Sequence, residues 1–261
     1  VARSNIEASP SALLITDGDF KYLFIDEIQN VDGFEEVING FREDGNFSIF
    51  ITGSNSYLLS GELSTKLTGR YIEIEMFTLN FREYLEMKAF FGKEIKENKV
   101  EEFNEYIRFG GFPKALEFDD PNDKDTYIAE VISQILEKDV VKHKKIRNRS
   151  VFDKVMTYVI NNFGATMSLS SIAEYFDKQE HISIRTETLN NYLQILENAK
   201  IIYKCSRFDV KSKKSLRGEQ KYYLADLGIY FSRNVDARIN YGPVLENIVY
   251  PYLSAKNYKS S

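Results

Sequence analysis

Asp26 and Glu27 are adjacent carboxylates that follow the uninterrupted apolar run Tyr22–Ile25. An acid pair at the end of an apolar segment can divide the work of a hydrolysis. One carboxylate holds a hard divalent cation such as Mg²⁺, usually through water, and its neighbour polarises the attacking water. A second polar group, Thr52, Ser54 and Asn55, follows a second apolar run, Phe47–Ile51. Hydroxyls and an amide placed there can sense a phosphate or orient water. Arg70 adds a cation suited to the charge that develops on a transferring phosphoryl group, in cis or from a neighbouring subunit. Plainer readings exist for each: acids favour helix starts, and a surface arginine pairs with Glu62 or Glu73.

Two strands and a helix must position these groups. Tyr22–Ile25 is continuously apolar and β-prone, as a central strand covered on both faces would be. Between Val31 and Arg42, the spacing of Phe34, Val37, Ile38 and Phe41 predicts an amphipathic helix ended by Asp44-Gly45-Asn46. Phe47–Ile51 is then a second strand. Parallel strands joined by a helix form a right-handed crossover that puts both carboxyl ends on one sheet edge, so Asp26, Glu27, Thr52, Ser54 and Asn55 are expected to converge. Residues 1–20 look polar and irregular, and Tyr71–Met76 is expected as a third strand just after Arg70.

Composition limits the function classes. The chain has 261 residues, enough for two domains, and a net charge of −5 that argues against a wholly nucleic-acid-coating protein. One cysteine excludes an intrachain disulfide framework; Cys205 is expected as a buried filler. With two histidines, His143 and His181, little is left for a zinc site. No apolar run reaches membrane-spanning length and the amino-terminal residues lack a signal-peptide pattern, so the cytoplasm is the expected location.

Farther on, Asn80–Phe91 and Lys99–Phe109 show helical spacing and suggest a small helical lid, broken by Gly110-Gly111-Phe112-Pro113. That break reads either as a helix stop or as a hinge. Asp125–Val141 is an amphipathic helix running into the basic stretch Lys142–Arg149, a solvated linker or a nucleic-acid track. Helices are expected over Val151–Asn162, Ser168–Phe176 and Thr186–Ala199, with Ser170 and either Thr186 or Ser183 as caps. Strands follow at Ile201–Val210 and Lys221–Leu224, around a flexible basic loop, Lys211–Gly218. This order is that of a winged helix. Thr186–Ala199 would be the recognition helix, and Lys211, Lys213, Lys214 and Arg217 would be wing cations for DNA.

The motifs Leu23–Gln29, Ile51–Ser56, Leu67–Arg70, Leu79–Tyr84, Tyr106–Pro113 and Val244–Tyr250, in this order, resemble the AAA-type ATPases of archaea and bacteria that carry a winged helix and a nuclease-like carboxy-terminal domain. The resemblance implies an α/β fold: a P-loop-type (AAA) parallel-sheet core remnant over residues 1–80, followed by a helical lid over 81–147, a winged-helix domain over 148–233 and the start of a nuclease-like domain over 234–261. It implies ATP and Mg²⁺ as cofactors. Asp26 becomes the metal ligand at the Walker B position and Glu27 and Arg70 the catalytic groups, with Thr52, Ser54 and Asn55 on the nucleotide. DNA and a further copy of the chain are the candidate partners. The phosphate-binding segment G-x-x-x-x-G-K-[S/T] does not occur in these 261 residues, so the chain by itself is expected to bind ATP weakly and to be inactive, both ends being expected as truncated. Two alternatives stay open: a non-catalytic DNA-binding regulatory module, and a metal-dependent nuclease with Glu246 as its first acid and its other ligands beyond Ser261.

Overall fold

A two-residue turn at Gly18 and Asp19, with Gly18 at φ 59°, folds Ala12–Asp17 (β1) back on Phe20–Ile25 (β2), pairing Asp17 with Phe20 and Ala12 with Ile25. Glycine leads such turns because a positive φ there costs it no side-chain clash. The computed structural model describes residues 12–28, 31, 33–53, 71–142, 146, 148–209, 214–234 and 236–258. The chain divides into two compact units, Val1–Glu73 and Ile74–Ser261.

In the first unit, β2 pairs in parallel with Phe47–Ile51 (β3), Ile25 opposite Ile51. The connection is the helix Phe34–Glu43 (α1), which begins after Gly33 and stops at Asp44 and Gly45. Phe34 and Ile38 of α1 bury with Ile28 against Ile25, Ile49 and Ile51. The sheet is therefore mixed, in the order β1-β2-β3. Two expectations are corrected. Residues 12–17 are a strand rather than irregular chain. Among the described residues β2 is covered on one face, by α1, while Phe24 and Phe50 stack partly exposed on the other, ring centroids 4.8 Å apart.

The expected strand Tyr71–Met76 is not formed: residues 71–80 have no regular structure, and Ile72 and Met76 are about nine-tenths exposed at 89% and 85%. Alternating apolar residues make a strand only where a neighbouring backbone takes up their hydrogen bonds.

The second unit opens with Phe81–Phe90 (α2), whose capping box pairs Asn80 with Glu83, and Lys99–Phe109 (α3), capped by Asn98. A 3₁₀ turn at Pro113–Glu117 leads to Pro121–Lys142 (α4). Then come Arg149–Asn161 (α5), Thr166–Met167 (β4), Leu169–Gln179 (α6), Thr186–Asn198 (α7), the hairpin Ile202–Asp209 (β5) and Lys214–Leu224 (β6), the short Gly228–Phe231 (α8) and Tyr241–Tyr258 (α9). β4, β6 and β5 form an antiparallel sheet. Phe152, Val155, Val159, Ile172, Leu189, Leu193 and Leu224 join one core with Ile128 and Ile132 of α4.

Details differ from expectation here as well. Ser168, not Ser170, caps α6, because its hydroxyl reaches the Ser171 amide while Ser171 reaches back. α7 starts after Arg185 with no side-chain cap, so neither Thr186 nor Ser183 serves. β6 begins at Lys214, so Lys214–Gly218 of the expected loop are strand. The region after residue 234 lies in the same unit: buried Asn247 of α9 accepts from the Leu224 amide (2.7 Å) and donates to the Leu224 carbonyl (3.0 Å), in effect continuing the ladder of β6. No helix is long and apolar enough to cross a membrane among the described residues. Cys205 is only half-buried, a correction to the buried filler.

Candidate functional site

Past their last paired residues, β2 and β3 remain stitched together. The Thr52 amide donates to the Ile25 carbonyl (2.9 Å) and the Ile28 amide to the Thr52 carbonyl (3.0 Å). Between those two bonds the chain makes a tight excursion that carries Asp26 and Glu27. Glu27 sits in the left-handed region at φ 54°, a conformation that costs a non-glycine residue about 1 kcal/mol and is kept where its surroundings enforce it. The excursion is anchored from behind by Ile28, 2% exposed in the core, so an exposed Asp26 and a half-buried Glu27 are held at the tip.

The Thr52 hydroxyl completes the arrangement. It donates to Asp26 Oδ1 and accepts the Glu27 amide at 3.2 Å. Three of the residues expected to converge, Asp26, Glu27 and Thr52, are thus brought together at the carboxyl ends of adjacent parallel strands. Ser54, Asn55 and Arg70, expected beside them, lie outside the described residues, as do His143, Lys211 and Lys213. Lys214 and Arg217 belong to the backbone of β6 rather than to a loop.

The exposed Asp26 carboxylate supplies the hard oxygen that Mg²⁺ prefers, but among the described residues no group of three or more His, Cys, Asp or Glu side chains could hold an ion. An exposed carboxylate of this kind fits a cation that arrives with phosphate oxygens and water, the usual manner of Mg²⁺. Glu246, the first acid of the nuclease alternative, accepts from Lys221 Nζ (2.7 Å) and the Tyr223 hydroxyl (3.2 Å), and Lys221 holds its carboxyl below the usual range.

The exposed side of α7 carries Glu187, Asn191, Gln194 and Asn198. Elsewhere in the second unit, Arg149, Lys154, Lys178, Arg207 and Lys221 each pair with a carboxylate, at 3.0, 2.6, 2.5, 3.0 and 2.7 Å, while Arg185 at the start of α7 is exposed. His181 is exposed, at φ 54°.

Another polar centre, one that motif spacing did not reveal, lies in the second unit. Asp226 is buried at the end of β6, and its two carboxylate oxygens accept the amides of Gly111 and Gly228, both at 2.7 Å. Burial pushes its carboxyl up to about 6, against the opposing pull of those two amides and the Thr78 hydroxyl. A Cβ on Gly110 would come within 1.6 Å of Asp226 Oδ1, and one on Gly111 within 2.1 Å of the Leu79 carbonyl oxygen. The Gly110-Gly111 pair is thus required by a close approach, with Gly110 also at φ 71°. Its signal in sequence is an acid inside the apolar run Leu224-Ala225-Asp226-Leu227, followed by Gly228.

Residues 100–236 match the family model described as Domain of unknown function (DUF8612), and residues 3–85 match that of an AAA domain. An uncharacterized protein of Haemophilus influenzae is 33% identical over 237 residues, covering 91% of this chain and 58% of its own length. One of Methanocaldococcus jannaschii is 35% identical over 243 residues, covering 91% of this chain and 54% of its own length. The chain thus spans little more than half of these relatives. Among solved structures, a Walker-type ATPase of Pyrococcus abyssi shares the fold with a TM-score of 0.52 at 16% identity, over 82% of this chain and 63% of that one. With a family model matched over more than half of its residues, the chain belongs to the DUF8612 family and carries an AAA-type, P-loop-ATPase-like region at its amino-terminal end.

Proposed function

We propose that this protein is an AAA-type ATPase whose hydrolytic groups are Asp26 and Glu27. The observation that carries this reading is the enforced tip between β2 and β3, where two carboxylates are held beside Thr52 at the carboxyl ends of parallel strands. That edge is where open α/β sheets bind their ligands. Asp26 would hold a Mg²⁺ delivered with the nucleotide, and Glu27 would take up the proton of the attacking water. The bound Mg²⁺ would supply charge neutralisation on the phosphate oxygens. Ser54 and Asn55 are proposed to face the terminal phosphate and Arg70 to serve a neighbouring subunit's nucleotide. The elements from α5 to β6 follow the order of a winged helix. We assign that part a protein-packing role over a DNA-reading one, because the exposed side of α7 carries Glu187, Asn191, Gln194 and Asn198 and no lysine or arginine.

Glu27→Gln in the full-length gene product tests the assignment. Hydrolysis should fall by about 100-fold or more while nucleotide binding persists, the expected loss for one general base. Unchanged hydrolysis would overturn the ATPase reading.

A further inference from the structure

The hydrogen bonds of Thr52 give it a role different from contact with phosphate. All four of its hydrogen-bonding functions are directed at the Asp26–Glu27 tip or its flanks. Its amide donates to the Ile25 carbonyl before the tip, and its carbonyl accepts the Ile28 amide after it, at 2.9 and 3.0 Å. Its hydroxyl proton goes to Asp26 Oδ1, and the hydroxyl oxygen accepts the Glu27 amide at 3.2 Å. A hydroxyl has one proton to give, so the bond to Asp26 leaves none for a phosphate oxygen. From these contacts we infer that Thr52 is a positioning residue: it fixes the direction of the Asp26 carboxylate and holds Glu27 in its left-handed conformation, and it acts on any nucleotide only through them.

The inference rests on the ATPase reading for its consequence but not for its geometry. A carboxylate oxygen already accepting a hydroxyl is oriented before a cation approaches, so less freedom is lost on binding. The Glu27 amide, secured by the same oxygen, keeps the adjacent side chain from drifting as the peptide relaxes toward an unstrained φ. Thr52 also keeps the ladder closed beyond the last paired residues, Ile25 and Ile51. Serine would preserve the hydroxyl contacts. Valine would preserve shape and β-branching and remove both of them.

Two measurements on Thr52→Val and Thr52→Ser, alongside Glu27→Gln, decide the matter. The first is hydrogen exchange of the Glu27 and Ile28 amides in nucleotide-free protein. Thr52→Val should speed exchange at Glu27 by about 10-fold, the worth of one hydrogen bond of ordinary strength, and Thr52→Ser by no more than about 2-fold. The second is the Mg²⁺ concentration giving half-maximal ATP hydrolysis by the full-length gene product. Thr52→Val should raise it by about 10-fold and Thr52→Ser should restore it, as expected for loss of a bond to a charged group. Unaltered Glu27 exchange in Thr52→Val overturns the inference. So does a fall in kcat at an unchanged Mg²⁺ requirement, which would mark a phosphate-contacting residue. If Glu27→Gln leaves hydrolysis intact, the ATPase reading fails instead, and the exchange measurement alone still judges whether Thr52 holds the tip.

Discussion

Replacing Asp226 by asparagine removes the titration of a buried carboxyl while keeping its size, which makes the cost of ionising it measurable. The carboxyl stands at about 6 in the folded protein because burial outweighs the amides of Gly111 and Gly228 and the Thr78 hydroxyl, against an ordinary value of 3.8. A folded-state value above the unfolded one means that the stabilising contribution is complete below the ordinary value. It is lost as pH rises through about 6, where the folded protein must carry the charge without water around it. The full difference is worth about 3 kcal/mol. The substituted amide does not titrate, so the difference in unfolding free energy between wild type and Asp226→Asn should move by about 2–2.5 kcal/mol in the variant's favour between pH 4 and pH 7. At the acid end the variant should be the less stable, by about 1–3 kcal/mol, because an amide offers one acceptor to two facing N–H groups. Urea unfolding followed by far-ultraviolet circular dichroism at a series of pH values gives the curve, and a carboxyl carbon NMR titration gives the ionisation directly. A difference that stays flat over this range, or an Asp226 that titrates at its ordinary value, would refute the reasoning.

Gly111→Ala should destabilise the second unit by about 2–4 kcal/mol, since the added methyl meets the Leu79 backbone at 2.1–2.9 Å and neither chain has a flexible end to yield; thermal unfolding measures it. Between α2 and α3, Lys88 and Glu102 form a buried ion pair at 2.5 Å, both side chains under one-tenth exposed. Lys88→Met or Glu102→Leu alone should cost about 3–5 kcal/mol, and the double replacement Lys88→Met with Glu102→Leu should recover part of it; a strictly additive double variant would show that the two charges do not act as a pair.

What could be read in the sequence was what local periodicity and strand chemistry encode. The spacing of Phe34 and Ile38 placed α1, the runs Tyr22–Ile25 and Phe47–Ile51 placed parallel neighbours, and the polar residues after each run pointed to one edge. Features that depend on a distant partner stayed hidden. Ile72, Ile74 and Met76 alternate as a strand would, yet strand formation depends on a backbone that the pattern does not name. Ser168 and Ser170 are chemically alike, and only the helix start decides which one caps it. The apolar run around Asp226 hints at burial, but its partner Gly111 lies 115 residues away and nothing local names it.

That last contact also settles which reading of Gly110-Gly111-Phe112-Pro113 the structure favours. A hinge needs backbone torsions that are free to change, and here each neighbouring group is held from a different direction. The Gly111 amide is bound by Asp226 and the Gly111 carbonyl by the Leu79 amide at 2.9 Å; the Tyr106 hydroxyl then donates to the Leu79 carbonyl at 3.0 Å. The segment ahead of α2 is tied to the hairpin as well, through Glu75 on Lys200 and Tyr203, and through Thr78 on the Ala225 carbonyl at 3.2 Å. Rotation at the glycine pair would break the two backbone bonds of Gly111 and leave Asp226 buried with an amide missing, a loss of several kcal/mol with nothing gained in exchange. The glycines therefore act as a latch. They join the end of α3 and the segment ahead of α2 to the residues that follow β6.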